Sequence, residues 1–313
     1  MVTHSLAGIR VVNFGLNLPG PMLAARLAGK GASVLHIEPP DGDPTRRMFL
    51  SDTGEPLLHR ELHRGTQTKS LDLRDEAQRS VALLSCATAD IIIDGFLPGT
   101  LSRLGIDAER LRHQNPRLVY CSIVGFGDQG KRSDLPGHDI NFLASSGVAA
   151  SLGLTPDGVL PDFPVGDIVG GVLCSEIEIL AALFARSSNG LGAHISISIA
   201  EALRDLNVVS RLREKVPKDM SAAFLSGTYP CYRLYRAANN TTLALGALET
   251  KFWRRFCDLI GRLDLVSCQF ATRGDSTCAH AAVETALLAH DASGWESRST
   301  GAPCCLTAIQ KIN

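Results

Sequence analysis

The chain has 313 residues, is 45% hydrophobic and 20% charged, and carries a formal net charge of −1. A chain of that size can bury one large domain or two unequal ones, and near-neutrality leaves no global field to draw it to nucleic acid or to anionic lipid. An anionic ligand must therefore be held locally, by helix N-termini and single basic residues. There are nine cysteines, an odd number. Cys86, Cys121, Cys174, Cys231 and Cys257 sit inside apolar stretches, while adjacent Cys304 and Cys305 suit neither a simple disulfide nor CxxC spacing. Reduced thiols in a cytoplasmic protein are expected. The start, MVTHSLAGIRVV, runs into a strand-like segment with no signal-peptide apolar region. No continuous apolar run reaches the roughly eighteen residues of a membrane span, so no membrane partner is expected.

In chain order, Ile9–Phe14 is an apolar run that ends in the Gly/Pro-rich turn Gly15–Pro21. Met22–Ala28 has helical composition and stops at Gly29 and Gly31, and Ala32–Ile37 is a second buried strand. This is a strand–helix–strand unit of the parallel type. Residues 39–68 read as a long polar loop of the sort that is usually functional. Leu71-Asp72-Leu73 resumes structure, Glu76–Ala87 is helical, and Ala89–Ile93 and Leu118–Ile123 are further strands. The alternation predicts an open, largely parallel sheet with helices on both faces. Ile140–Ala150 and Gly170–Arg186 are small and apolar at helical spacing, Ser187–Gly190 is a turn, and His194–Ile199 is a strand. Glu214–Asp219, charged and containing Pro217, reads as a linker. Beyond it Thr228–Tyr235 and Thr242–Gly246 are antiparallel strands around Asn239-Asn240, followed by an amphipathic helix over Glu249–Leu259. The predicted division is a large Rossmann-like domain over 1–200, a linker over 201–225 and a small α+β domain over 226–313.

Gly15–Gly20 invites a dinucleotide-fold reading, but GLNLPGP lacks the G-x-G-x-x-G spacing, and Pro19 and Pro21 remove backbone donors. The segment Pro136-Gly137-His138-Asp139-Ile140-Asn141 places His138 at or just before a helix N-terminus, where exposed N–H groups can receive an oxyanion. Taken alone, it also suits a helix capped by Asp139 or Asn141 with His138 on the surface. Gly166-Asp167 puts a carboxylate beside glycines at the start of an apolar helix. That is either an N-cap or an acid–base group in an apolar pocket. Glu249, in a first helical turn, suits a dipole or capping role.

These pieces, in this order, resemble the family III CoA-transferases and the related alpha-methylacyl-CoA racemases. The similarity runs from Leu6–Val12 through Pro19-Gly20-Pro21, Gly31–Val34, Ile37–Pro44 and Ser70–Leu73. It continues through Pro98-Gly99, Asn115–Tyr120, Gly125–Gly127, the GHDIN run and Gly190–Ser198 to Gly227–Tyr235 and Gly246–Glu249. The resemblance implies a Rossmann-like large domain, a smaller second domain, an acyl-CoA substrate with no metal or resident cofactor, and two chains interlocked into a homodimer. Transferases of this kind use an Asp nucleophile, matched by Asp167. Racemases pair a His with that Asp and place a Glu near the His, matched by His138 and Glu249, which favours an acyl-CoA racemase or epimerase acting on α-chiral, 2-methyl-branched thioesters. By position, Ser70, Leu71, Asp72, Leu73, Gly137, Asp139 and Asn141 are expected to line the CoA thioester site. Two positions depart from the pattern. Leu97 stands where relatives have Arg, and Thr66–Lys69 replaces a more basic run, leaving Arg46, Arg47 and Lys69 to compensate. Relatives also continue from the small domain back into the large one, so the end at Asn313 suggests either a natural short form or an incomplete large domain, with stability leaning on the dimer partner. A CoA-transferase and a catalytically weak CoA-binding homologue are the alternatives.

Overall fold

The computed structural model describes residues 4–213, 215–216, 225–272 and 277–310. The chain divides into two compact units, Met1–Val208 and Val209–Asn313. The first begins with β1 (Arg10–Asn13), α1 (Pro19–Ala28) and β2 (Ser33–Glu38). Then come a 3₁₀ turn (Pro44–Arg47), α2 (Leu57–Leu62), β3 (Gln67–Ser70), α3 (Glu76–Ala87), β4 (Ile91–Asp94), α4 (Thr100–Arg103), α5 (Ala108–Gln114) and β5 (Val119–Val124). It continues with α6 (Asp139–Ser146), α7 (Val148–Ser151), a π-helical segment (Gly166–Leu173), α8 (Cys174–Asn189), β6 (His194–Ser198) and α9 (Ile199–Leu206), and α10 (Val208–Arg213) crosses the boundary. The strands form one six-stranded sheet in the order β3-β2-β1-β4-β5-β6, with every pairing parallel. The expected Rossmann-like α/β architecture is therefore present.

The sheet is buried on both faces, which is why its central strands read as unbroken apolar runs. Val11, Ile91, Ile93, Val119 and Cys121 pack on one side with Leu23 and Leu27 of α1 and Ile179 of α8. Val12, Ile92, Leu118 and Tyr120 pack on the other with Ala82, Cys86, Leu101 and Leu111. Each such aliphatic side chain contributes about 1.5–3 kcal/mol on burial. Glu176 of α8 is buried and held by ion pairs with Arg26, at 2.6 Å, and with Lys30. An unpaired carboxylate there would carry the full desolvation penalty.

Several boundaries differ from the sequence expectation. The stretch 39–68 is not one loop: it holds the 3₁₀ turn, α2 and the start of β3. β3 is a polar edge strand, every residue of it exposed, so it has no apolar alternation to reveal it. α8 runs to Asn189 and ends at Gly190, whose φ of 76° is the left-handed C-cap, so Ser187 and Ser188 are helical rather than turn. The expected helix 140–150 is broken at Gly147, φ 81°. The expected linker 201–225 is largely helical in its described part, through α9 and α10, and most of Glu214–Asp219 lies outside the described residues. By length and composition, Gly166–Asn189 would suffice to cross a membrane. Here Val172 and Ile179 of that segment are fully buried in the core beside the sheet.

The second unit holds β7 (Tyr232–Arg236), β8 (Thr242–Gly246), α11 (Thr250–Leu259), a 3₁₀ turn (Leu263–Cys268), α12 (Thr277–Leu287), α13 (Ala292–Gly301) and β9 (Leu306–Ala308). β7, β8 and β9 form an antiparallel sheet around a core centred on Trp253, Phe256 and Trp295. Both buried indoles donate their N–H, Trp253 to the Leu265 carbonyl at 3.0 Å and Trp295 to that of Leu287 at 2.8 Å. The described cysteines of both units are unpaired thiols, as expected.

The π segment packs against α9 so closely that a Cβ on Gly170 would meet the Ile199 carbonyl oxygen at 2.8 Å and Leu203 at 3.0 Å. Gly170→Ala should therefore destabilise the protein by about 1–3 kcal/mol, read as a lower denaturant midpoint with an unchanged slope.

Candidate functional site

The sheet order reverses direction between β1 and β4. In open α/β sheets the crevice at the carboxyl ends of the strands at such a point is where ligands bind. A cleft of about 280 Å³ lies there. Leu16, Asn17 and Gly20 line it from the β1 exit, Phe96 and Leu97 from the β4 exit, and Gly125 follows β5. Its floor depends on close backbone approach: a Cβ on Gly20 would sit 2.6 Å from the Gly15 Cα, and one on Gly95 2.9 Å from it. These glycines thus pack the loops together rather than cradle a pyrophosphate. Asn13 ties down the same turn, its side-chain oxygen accepting from the Gly15 N–H at 2.9 Å.

His138 and Asp167 both line this cleft, as does Gly137. His138 is the N-cap of α6, in extended conformation, and its backbone N–H donates to the Asn141 side-chain oxygen at 3.0 Å. Asn141 is therefore a capping residue. The first-turn N–H groups of α6 form the positive end of the helix beside the His138 side chain. Asp167 is the second residue of the π segment, a helix form found chiefly at functional sites. Its backbone N–H donates to the Asp139 carboxylate at 2.8 Å. Burial, and after it the Asp139 charge, push the Asp167 carboxyl up to about 7. A carboxyl there can hold or release a proton near neutral pH. Phe142 of α6 and Leu135 supply apolar wall.

A second groove, of about 480 Å³, is lined by Leu71, Asp72 and Leu73 together with Pro39, Pro40 and Arg74. It shares Leu16 and Phe96 with the first cleft, so the two lie side by side. Ser70, at the end of β3, does not line it; its hydroxyl donates to the Pro39 carbonyl at 3.3 Å. Phe96 is held by its N–H donating to Asp94 at 2.9 Å. Asp94 is itself buried, pushed up to about 6, and receives the Tyr120 hydroxyl at 2.9 Å. The expected compensation for Leu97 is only partly available. Arg46 is committed to Glu38 by two hydrogen bonds of 2.8 and 3.0 Å, and Arg47 donates to the Asp41 carbonyl, while Lys69 sits on the exposed edge strand. Glu249 lies in the second unit as the N-cap of α11, beside Cys305.

Among the described residues one cluster has metal-ligand chemistry: buried His36, Asp43 and His63. Burial lowers His36 to about 4 and His63 to about 3, so both are neutral at pH 7. The Asn13 amide, oriented by Gly15, donates to His36 Nδ1 at 2.8 Å, which leaves the His36 proton on Nε2. A metal at Nε2 would need that proton on Nδ1, against the Asn13 donor. The tautomer that Asn13 imposes on His36 disfavours a metal at its Nε2, while that nitrogen and both His63 ring nitrogens are buried without a hydrogen-bond partner. Asp43 accepts from the Asn17 N–H at 3.0 Å and so steadies the cleft's rim.

Fold and site together define a Rossmann-like protein with a cleft at the switch point of its sheet that a histidine and a partly buried carboxyl line. Residues 6–313 match the sequence profile of CoA-transferase family III. A CaiB/baiF CoA-transferase family protein of Caenorhabditis elegans is 32% identical over 98% of this chain and 86% of its own length. The alpha-methylacyl-CoA racemase of Mus musculus is 33% identical over 79% of this chain, which spans 62% of that enzyme. A crystal structure of Rv3272 from Mycobacterium tuberculosis superposes with a TM-score of 0.84 at 26% identity, covering 99% of this chain and 85% of the other. This chain belongs to CoA-transferase family III.

His138, Gly137 and Asp167 were legible as motifs and meet in one cleft. Leu16, Asn17 and Phe96 were not named from sequence, although the Gly/Pro turn after β1 marks the first two. Asp167→Asn tests the environment directly. A carboxyl raised from its unfolded value near 3.8 to about 7 destabilises the fold increasingly as pH rises through that interval. Asp167→Asn should therefore be more stable than the parent by about 2–4 kcal/mol at pH 8, and equal to it below about pH 4, in urea titrations at both pH values.

Proposed function

We propose that the protein is an acyl-CoA racemase or epimerase that interconverts α-chiral, 2-methyl-branched-type acyl-CoA thioesters by 1,1-proton transfer through an enolate. One observation carries this reading: a histidine and a carboxyl of raised proton affinity line the same small cleft from different elements. A thioester α-proton is too weakly acidic for an unaided side chain, so the enolate oxygen needs donors in place. The first-turn N–H groups of α6, beginning at Asp139, are proposed to supply them. His138 and Asp167 then exchange roles, one taking the proton and the other returning it. The acyl-CoA pantetheine and nucleotide would follow the adjacent groove past Phe96, Leu71 and Leu73. The proposed reaction needs no resident cofactor.

CoA transfer is the second reading, with Asp167 attacking the thioester to form a mixed anhydride and release CoA thiolate. It is favoured by the transferase relatives. A nucleophile must be ionised, whereas burial and the Asp139 charge hold a proton on Asp167 to higher pH, which suits proton transfer better.

Purified protein incubated in heavy water with (R)- or (S)-2-methylacyl-CoA should incorporate deuterium at the α-carbon and lose chirality without any acceptor acid. His138→Ala should lower that rate by about 10²-fold or more. A new thioester that forms only with an added carboxylic acid, and no exchange, would establish transfer instead. CoA binding without either reaction would point to the weak homologue.

A homodimer in the cytoplasm is part of this proposal. α8 presents Ile177, 63% exposed, and Phe184, 79% exposed, on an apolar face that a second copy would cover. Sedimentation should give two copies for the parent and one for Phe184→Glu.

A further inference from the structure

Asp139 lies one residue after His138 and twenty-eight before Asp167, yet its side chain reaches Asp167 rather than solvent or the cleft's ligand wall. Its Oδ1 accepts the Asp167 backbone N–H at 2.8 Å. The same oxygen stands 2.9 Å from where a Cβ on Gly166 would be, so the glycine leaves the space the carboxylate occupies. α6 and the π segment pack against each other, and this hydrogen bond joins the residue after His138 to Asp167 itself.

We propose that Asp139 is the positioning residue for Asp167, fixing its backbone against α6 and placing a second carboxyl group beside its own. The inference rests on Asp167 being the catalytic carboxyl, and holds for either proton transfer or CoA transfer. Two like charges held close disfavour double ionisation, so the partner retains a proton to higher pH. Other charged groups lie on the elements packed against the π segment. α1 carries Arg26, α8 carries Glu176, Glu178 and Arg186 (the last paired with Asp90), β6 carries His194, and α9 carries Glu201, Arg204 and Asp205. His138 faces the same cleft. Arg26 is paired with Glu176 and Arg204 donates to the Ser145 carbonyl. Of all these, Asp139 is the charge that acts on Asp167, added to burial.

Asp139→Asn keeps an oxygen for the Asp167 N–H but removes the charge. The titration of Asp167 can be read by NMR in protein labelled with ¹³C at the aspartate carboxyl carbons, its resonance assigned by absence in Asp167→Asn. The midpoint should fall by about one pH unit or more in Asp139→Asn. The low-pH limb of the α-proton exchange or transfer rate should move with it. Gly166→Ala, which crowds the Asp139 oxygen while retaining both carboxyls, should lower the midpoint in the same direction. A parent midpoint in the ordinary carboxylate range, or one that Asp139→Asn and Gly166→Ala leave in place, would overturn the proposal. Turnover by Asp167→Asn would instead remove Asp167 from catalysis, a separate failure that the NMR titration does not share.

Discussion

The contact between three glycines is the constraint on which the cleft depends. Gly15, Gly20 and Gly95 let the turn after β1, the start of α1 and the turn after β4 meet at backbone distance, closer than any side chain permits. That contact occurs at the point where the sheet order reverses, so the fold's natural crevice becomes narrow and shaped. Into it come His138 from the N-terminus of α6 and Asp167 from the π segment. A methyl group at Gly20 would separate the two loops and widen the floor under both.

The polar residues behind this floor are arranged as support. Asn13 bonds Gly15 and His36, and Asp43 bonds Asn17 while also receiving Thr45. Burial keeps the histidines uncharged near neutrality. The bonds made by Asn13 and Asp43 specify the loop geometry, because an alternative arrangement would leave those groups unpaired. On the other side, Asp94 holds Phe96, which with Leu16 is common to both grooves.

What could be read in the sequence followed burial. β1, β2, β4 and β5 are buried on both faces and wrote themselves as apolar runs. β3 is polar and exposed, and β9 is three residues long, so neither left a pattern. His138 and Asp167 were visible because each sits beside glycines at a helix start, where the residue choice is restricted. Their meeting was not visible as physics, since it needs the fold to bring segments twenty-eight residues apart together; family resemblance supplied the pairing. The Asp139–Asp167 bond was invisible for the same reason. Lys69 and Arg47 could be picked out as basic, but the commitment of Arg46 to Glu38 required the three-dimensional neighbourhood.

The π-helical segment has a consequence for how this chain can change. A π turn holds one residue more than an α turn, and each residue in a helix turns the chain by about 100°. Gly166–Leu173 therefore decouples two registers: the stripe by which α8 grips the sheet, and the direction in which Asp167 leaves the backbone. Loss of a single residue within it would restore an ordinary helix with α8 seated as before. The carboxylate would then swing about a quarter-turn from its present aim, so a deletion that left α8 on the sheet would still take the carboxyl out of the cleft.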